Sequence, residues 1–86
     1  MGYAMGSYEK TLKRLQSRPK DFSWSELQKT MTHAGFQELL GDGSRRKFYN
    51  PTTRRFASFH KRHPDDTLLS YQVKAALDFL KQEGVI

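Results

Sequence analysis

The chain has 86 residues, with 15 lysine and arginine residues against nine acidic ones and no cysteine. This length fits one domain with a small core, and the lack of cysteine excludes a disulfide framework and any thiolate metal site. No apolar run approaches the roughly 20 residues that a membrane span needs, so we expect a cytoplasmic protein with no membrane partner.

The positive charge is concentrated in one stretch. Between Gly41 and His63 there are seven cations and one anion, a net charge of +6 that equals the net charge of the whole chain. Clustered cations favour a polyanionic partner, which leaves nucleic acid, an anionic membrane surface or an acidic protein as choices. The alternative is a solvated basic surface with no specific ligand.

The N-terminal part of the chain divides into a tail and a short helix. Residues 1–7 have no periodic pattern and are interpreted as a tail or a cloning remnant, and residues 8–21 as a helix with a linker. Ser7 is predicted to cap a helix over residues 8–16, which ends before Pro19. One face of this helix carries three apolar side chains: Tyr8, Leu12 and Leu15.

The next helix has the strongest sequence signals. Ser23 and Glu26 have the spacing of a capping box, and Phe22 and Leu27 that of a hydrophobic staple. Gly35 lies where a left-handed C-terminal cap is expected. The buried face is predicted to comprise Trp24, Leu27, Met31 and Ala34.

Three short strands are predicted next, over residues 36–40, 44–49 and 54–60. Asn50-Pro51 at the start of the second connection is typical of a type I turn, so the last two strands form an antiparallel hairpin. Phe56 and Phe59 have opposite parity along their strand. Either a bulge or an aromatic side chain on the outer face explains this, and both remain open.

The final helix is predicted to begin at Asp66 or Thr67 and to end at Gly84. The expected order is a short helix followed by helix–strand–strand–strand–helix. This is an α+β fold in which helices pack on one face of a three-stranded antiparallel sheet, leaving the other face to solvent or a partner. We expect residues 22–86 to form the single domain.

Four features occur in order along this domain. They are the end of the first domain helix at Ala34-Gly35-Phe36, Gly43-Ser44 at the start of a strand, the loop His60-Lys61-Arg62-His63-Pro64, and the helix start Leu69-Ser70-Tyr71-Gln72-Val73-Lys74. Together they resemble the HicA family of bacterial toxins over about residues 22–86. The resemblance implies a fold like the double-stranded-RNA-binding domain. It also implies an mRNA interferase toxin with a HicB-type antitoxin as partner. We expect its RNA cleavage to be metal-independent and to need no cofactor.

One departure from the family pattern concerns catalysis. The family pattern is Gly-Ser-His, with the histidine carrying the catalysis, whereas this chain has Gly43-Ser44-Arg45. An arginine stabilises phosphate charge but does not act as a general base at neutral pH. Either this chain has lost catalysis or another histidine supplies it.

RNA cleavage without a metal needs a base, an acid and cations around the developing phosphorane. Histidine suits the proton transfers because its pKa lies near neutrality, so we identify His63 as the first candidate and His60 as the second. Ordinary polar residues at a sheet edge are the competing interpretation. The predicted RNA-binding residues are Ser44, Arg45, Arg46, Lys47, Arg54, Arg55, Lys61 and Arg62.

A metal site is not expected. His60 and His63 supply two ligands, while Asp65 and Asp66 are explained as charges at the start of the last helix. Three functions then remain open. They are a toxin-type endoribonuclease, a non-catalytic RNA-binding module in which Tyr49 or Phe56 stacks on bases, and a domain whose basic face binds only an acidic protein.

Overall fold

The structure, a computed structural model, describes residues 6–86. In this part of the chain the elements are α1 (Ser7–Gln16), α2 (Trp24–His33), β1 (Gln37–Leu40), β2 (Arg45–Tyr49), β3 (Phe56–His60) and α3 (Ser70–Gln82). The strands form one antiparallel sheet in the order β1-β2-β3. The predicted α+β class and helix–strand–strand–strand–helix order are confirmed. Residues 1–5 of the predicted tail lie outside the described residues.

Helix α2 begins and ends as its sequence predicts. The amide of Glu26 donates to Ser23 Oγ at 3.1 Å, and the amide of Ser23 donates to Glu26 Oε1 at 3.0 Å, which completes the capping box. At the other end Gly35 has φ +97°, and the amide of Phe36 donates to Met31 O at 3.0 Å. This is the Schellman arrangement, which satisfies the last carbonyls of the helix.

Helix α1 starts one residue earlier than predicted. Gly6 has the extended backbone of an N-cap and its carbonyl accepts from the amide of Lys10 at 3.1 Å, while Ser7 is already helical. The predicted Ser7 cap is therefore wrong, since a capping residue needs a non-helical backbone, and Ser7 does not belong to the tail. Leu15 is fully buried and fixes α1 to the core.

A single arginine connects α1 to the start of α2. Arg14 Nε and Nη2 donate to the two carboxylate oxygens of Glu26 at 2.8 and 3.1 Å, and Arg14 Nη1 donates to Asp21 Oδ1 at 2.9 Å. The guanidinium also lies 5.5 Å from the centre of the Phe22 ring. The hydrogen bond from Arg14 is the main reason why the pKa of Glu26 falls to about 2 from an ordinary 4.5.

The inner face of the sheet packs its aromatic side chains on α2. Phe48 and Phe59 are buried, with ring centres 5.5 and 6.2 Å from that of Trp24. The pairing of β2 with β3 is uninterrupted from Arg45↔His60 to Tyr49↔Phe56. The hairpin therefore has no bulge, and Phe56 lies on the outer face with 53% of its surface exposed.

The hairpin turn is longer than predicted, and β3 is shorter. The amide of Arg54 donates to Asn50 O at 2.7 Å, which closes a turn of five residues instead of the predicted four. Arg54 has φ +64°, outside the range of a strand, so the predicted start of β3 at this residue is wrong. β1 and β2 each begin one residue later than predicted.

The start of α3 differs most from the prediction. Neither Asp66 nor Thr67 caps the helix: Leu69 is the N-cap residue, and its amide donates to Gln72 Oε1 at 2.9 Å. The reason is a short antiparallel pairing in which Trp24 N donates to Asp66 O and Leu68 N donates to Phe22 O, both at 2.8 Å. This pairing holds the segment extended, so the helix begins only beyond it.

The rest of α3 follows its apolar pattern. Its buried apolar residues are Val73, Ala76, Leu77, Phe79 and Leu80. Gly84 has φ +78° just beyond the helix, as predicted for its stop. Within residues 6–86, no helix is both long enough and apolar enough to cross a membrane.

The two aromatic residues of β3 make opposite contributions to stability. Replacing Phe59 by alanine is expected to lower the free energy of unfolding by about 3–5 kcal/mol, because a buried ring leaves a cavity. The matched change Phe56→Ala is expected to cost less than about 1 kcal/mol, since this ring is largely exposed. Urea denaturation measures both values, and equal losses would contradict the assignment of faces.

The Arg14–Glu26 pair makes stability depend on pH. The carboxyl of Glu26 has a lower pKa in the folded than in the unfolded state, so the unfolded state binds more protons and stability falls as pH decreases from about 4.5 to 2. Because both side chains are about one-third exposed, we expect a contribution of about 1–2 kcal/mol.

Glu26→Gln isolates this effect because the amide oxygen still accepts from Ser23 N. Between pH 7 and pH 2.5, the free energy of unfolding measured by urea denaturation is expected to fall less in the variant than in the wild type. A wild-type curve with the same pH dependence as the variant would show that the ion pair contributes nothing.

Candidate nucleic-acid interface

The outer face of the β2–β3 hairpin is basic and aromatic. Because successive side chains of a strand alternate between faces, burying Phe48 and Phe59 turns their neighbours outward. The outward residues are Arg45, Lys47 and Tyr49 on β2, and Phe56, Ser58 and His60 on β3. No helix covers this face in the described residues, since α2 packs against β1 and α3 against β3 from the inner side.

The open end of the hairpin brings Ser44, Arg45 and His60 together. Arg45 lies directly opposite His60 in the β2–β3 register, and Ser44 Oγ lies 3.4 Å from His60 Nδ1. The amide of Lys61 donates to Ser44 O at 2.8 Å, which extends the pairing by one step. The end of β3 is also held by α3, because Gln72 Nε2 donates to His60 O at 2.9 Å.

His63 lines a neighbouring cavity of about 310 Å³. Its other lining residues are Gly43, Ser44, Arg46, Lys61 and Arg62. Ser44 therefore lies beside His60 and shares a cavity with His63, the two histidines that the sequence singled out. We use the term histidine cluster for Ser44, Arg45, His60, Lys61 and His63.

The cations near the histidine cluster differ in how far they are neutralised. Within residues 6–86, Arg45, Lys47 and Lys61 have no carboxylate oxygen within 4.0 Å. Arg62 donates to Thr67 O at 2.9 Å and lies 4.0 Å from Asp65. The predicted cations are therefore not equivalent in their capacity to bind an anion.

Arg46 has a largely structural environment. Its side chain belongs to the inner face, where Nη1 donates to Gly43 O at 2.9 Å and to Arg45 O at 2.8 Å. Its Nε lies 3.9 Å from a carboxylate oxygen of Glu38. These contacts shape the turn before β2, so Arg46 contributes to the cluster mainly by holding the backbone of its neighbours.

Arg54 and Arg55 lie at the opposite end of the hairpin from the histidine cluster. Residues 56–59 separate Arg55 from His60, so five steps along the chain span about 17 Å at 3.3 Å per residue. Arg55 is paired with Glu83 at 3.3 Å. Hydrogen bonds to Glu83, foremost from the Thr53 hydroxyl, keep the pKa of this carboxyl below its ordinary value. The eight predicted RNA-binding residues thus do not form one patch.

An aromatic side chain of the outer face is associated with a cation. Lys47 Nζ lies 4.5 Å from the centre of the exposed Phe56 ring. Tyr49 is opposite Phe56 in the register and is half-buried. An exposed ring beside a free cation is the arrangement with which proteins contact an unpaired base and its phosphate.

Two residues with a clear place at the site were not predicted. Gln72 is buried and holds the backbone of His60, and Tyr71 lines a small cavity together with His60. Leu69 and Gln72 have the three-residue spacing of a capping box, in which the Gln72 side chain accepts from the Leu69 amide. The sequence carries this signal, but it points to Gln72 only if Leu69 is taken as the N-cap residue. Asp65 accepts from the amide of Thr67 at 2.9 Å in a local turn. Its predicted role at the start of α3 is wrong.

The residues do not assemble a metal centre. In the described part of the chain, no three side chains among His, Asp and Glu are placed to hold one metal ion. The two imidazoles of the histidine cluster have serine and cations as neighbours, a donor set that favours an anion over a metal.

A family comparison identifies the domain. The family model described as "HicA toxin of bacterial toxin-antitoxin" matches residues 24–85. The chain belongs to the HicA toxin family. Membership implies the toxin of a toxin–antitoxin system with an antitoxin as its partner. No curated protein and no solved structure matches the chain.

The extent of the family match bears on the N-terminal helix. Helix α1 and the linker up to Ser23 lie outside the matched residues. The histidine cluster and the whole sheet lie inside them. The family match therefore says nothing about α1 or its linker.

A substitution at Arg54 tests the backbone conformation of the hairpin turn, because in residues 6–86 this side chain forms no ion pair that the change would remove. Replacing this residue by glycine removes a left-handed conformation that costs an L-residue about 1–2 kcal/mol, against a glycine entropy cost of about 0.5–1 kcal/mol. We expect Arg54→Gly to leave the free energy of unfolding unchanged or raise it by up to about 1 kcal/mol.

The adjacent change Arg55→Gly is the matched control. It removes the contact with Glu83 and has no positive φ to relieve, so thermal denaturation is expected to show a lower Tm. If Arg54→Gly lowered Tm as much as Arg55→Gly, the turn would not have the conformation described.

Proposed function

We propose that this toxin is a metal-independent endoribonuclease, an mRNA interferase, whose proton transfers are carried out by His63 and His60. The observation that supports the proposal is the position of Ser44, which lies 3.4 Å from His60 Nδ1 and also lines the cavity of His63. A phosphate bound at Ser44 would lie next to His60 and in the cavity that His63 and Lys61 line, with Arg45 opposite His60.

The reaction that this arrangement supports needs no added co-reactant. One imidazole takes the proton of a ribose 2′-hydroxyl, whose oxygen forms a bond to the adjacent phosphorus. The bond from phosphorus to the 5′-oxygen breaks, and the other imidazole protonates that oxygen. The products are a 2′,3′-cyclic phosphate and a 5′-hydroxyl. Arg45 and Lys61 stabilise the negative charge that develops on the phosphorane.

Arg45 occupies the position where the family pattern has its histidine. Its guanidinium remains protonated and has no role as a base. Its place directly opposite His60 suits it instead to hold the phosphate in register with that imidazole. In this proposal the proton-transfer role passes to His60 at the end of β3 and to His63 in the following loop, and the arginine supplies charge.

Lys47 and Phe56 favour a second candidate function, a non-catalytic RNA-binding module. The exposed ring with a cation at 4.5 Å is a stacking platform that binds RNA whether or not it is cut. The two candidates share the binding surface and differ only in the histidines. RNA fragments therefore distinguish them.

The antitoxin partner is proposed to be of the HicB type and to cover the basic outer face. A protein that blocks RNA at this face has to present acidic groups to Arg45 and Lys47, the cations of the face. This is the third interpretation of the basic surface, and it is compatible with the nuclease. A domain that bound only the antitoxin would show neither RNA binding nor cleavage.

The histidines are tested by induced expression of the wild type and of His60→Ala, His63→Ala and the double variant. Loss of an acid or a base typically costs about 10²–10⁴-fold in rate, so the double variant is expected to abolish growth arrest and transcript cleavage. Purified wild type is expected to cut RNA equally well with and without EDTA.

His33→Ala is the matched control. This imidazole stacks on Tyr8 with ring centres 4.2 Å apart, away from the histidine cluster, so its removal is expected to leave cleavage unchanged. Undiminished cleavage by a folded His60→Ala/His63→Ala variant would overturn the catalytic assignment. Salt-sensitive RNA binding without fragments from the wild type would favour the binding module.

A further inference from the structure

A second basic cavity lies on the side of the molecule formed by the α1–α2 linker and the first turns of α3. Its volume is about 590 Å³, and its lining includes Arg18, Lys20, Tyr71 and Lys74. None of these residues belongs to the histidine cluster. The two linker cations also lie outside the residues matched by the family model.

The linker cations are available to an anion. Asp21, the nearest acidic residue in sequence, is held by Arg14 at 2.9 Å. Within residues 6–86, neither Arg18 nor Lys20 has a carboxylate oxygen within 4.0 Å, and both are exposed. Lys74 is different because it is paired with Asp78 at 2.9 Å. The free positive charge of the cavity therefore comes from Arg18 and Lys20.

Arg18 occupies a backbone position that favours glycine. Its φ is +54°, and its amide donates to Leu15 O at 2.9 Å at the end of α1. A long cationic side chain at such a position is a local cost that its contacts within the described residues do not explain. Backbone strain of this kind clusters at functional sites, and the Arg18 side chain lines the basic cavity.

Tyr71 connects this cavity to the histidine cluster. Its ring is 64% exposed and lines both the linker cavity and a small cavity that also contains Ser58 and His60. His60 in turn lines the cavity of the outer sheet face together with Arg45 and Lys47. A continuous strip thus runs from the free linker cations over an exposed aromatic ring to the catalytic candidates.

We propose that the linker cavity is a second phosphate subsite, which holds the RNA chain where it leaves the histidine cluster, with Tyr71 stacking on a base between them. This rests on the proposed function, because the strip leads to the histidine cluster. A strand of alternating phosphates and bases fits free cations followed by a flat exposed ring.

The test is RNA binding by Arg18→Gly/Lys20→Ala, measured by fluorescence anisotropy with 2′-O-methyl oligoribonucleotides that cannot be cut by 2′-hydroxyl attack. Each lost phosphate contact lowers the slope of log affinity against log salt by about 0.7 for a single strand. We expect the slope to fall by about 1.4 and the affinity about tenfold for an oligonucleotide of about 12 nucleotides, with no change for one of about four.

Lys10→Ala/Lys81→Ala is the matched control. It removes the same charge from exposed helical positions that line none of the cavities described here, and its slope is expected to match the wild type. Arg18→Gly relieves the positive φ, so a fall in affinity is not explained by unfolding. Tyr71→Phe is expected to keep the affinity that Tyr71→Ala loses, roughly tenfold.

The outcomes separate this inference from the proposed nuclease. A slope for Arg18→Gly/Lys20→Ala equal to that of the control overturns the subsite, as does a wild type that binds no RNA. Unchanged RNA binding with weakened antitoxin binding would make the cavity a protein interface and would also overturn it. If the wild type bound RNA without cutting it, and Arg18→Gly/Lys20→Ala still had a smaller salt slope than the control, the subsite would be retained and the nuclease rejected.

Discussion

The packing of Phe48 and Phe59 on Trp24 is the contact on which the rest of the structure depends. Side chains alternate between the faces of a sheet, so these inward rings fix the outward direction of Arg45, Lys47 and His60. A slip of one residue in the pairing would reverse every side chain of the slipped strand. The hydrophobic core and the basic surface are therefore two results of one register.

A second constraint brings the loop after β3 to the histidine cluster. The backbone pairing of Asp66 and Leu68 with the start of α2 delays α3, and Gln72 fixes the carbonyl of His60. The loop that carries His63 is consequently held at both ends by hydrogen bonds. Ser44 lies 3.4 Å from His60 Nδ1 and lines the same cavity as His63, although neither histidine belongs to the family's Gly-Ser-His position.

The cations of the chain have two roles, and the number of charged residues alone does not distinguish them. Arg14, Arg46 and Arg55 are bound to carboxylates or carbonyls and hold elements together. Other cations have no carboxylate oxygen within 4.0 Å in residues 6–86 and line the cavities of the outer sheet face, the open end of the hairpin and the linker: Arg45, Lys47, Lys61, Arg18 and Lys20. The concentration of net charge between Gly41 and His63 thus indicates the interface only approximately, since Arg54 and Arg55 lie at its far end.

Local signals in the sequence were sufficient for the order of elements and for both ends of α2. Capping boxes and glycine caps act through neighbouring residues, so they are visible without a structure. The start of α3 was mispredicted because a tertiary backbone pairing overrides the capping preference of Asp66 and Thr67. The face of Phe56 was undecidable for the same reason, since only the register with β2 determines it.

The sequence predicted which residues belong to the candidate site better than it predicted how they are arranged in space. Ser44, His60 and His63 were selected from residue chemistry; Ser44 lies 3.4 Å from His60 Nδ1 and lines a cavity together with His63. The separation of Arg54 and Arg55 from this cluster depends on which end of a hairpin a residue occupies. Tyr71 had no visible role because its position beside His60 arises from the packing of α3 on β3.

The most direct test of the central claim is an NMR titration of the toxin with an uncleavable 2′-O-methyl oligoribonucleotide. The account predicts amide shift changes over residues 44–47 and 56–63, with little change in α2 beneath the sheet. Shift changes confined to α2, or a titration with no shift changes on the hairpin, would contradict an RNA site on the outer face.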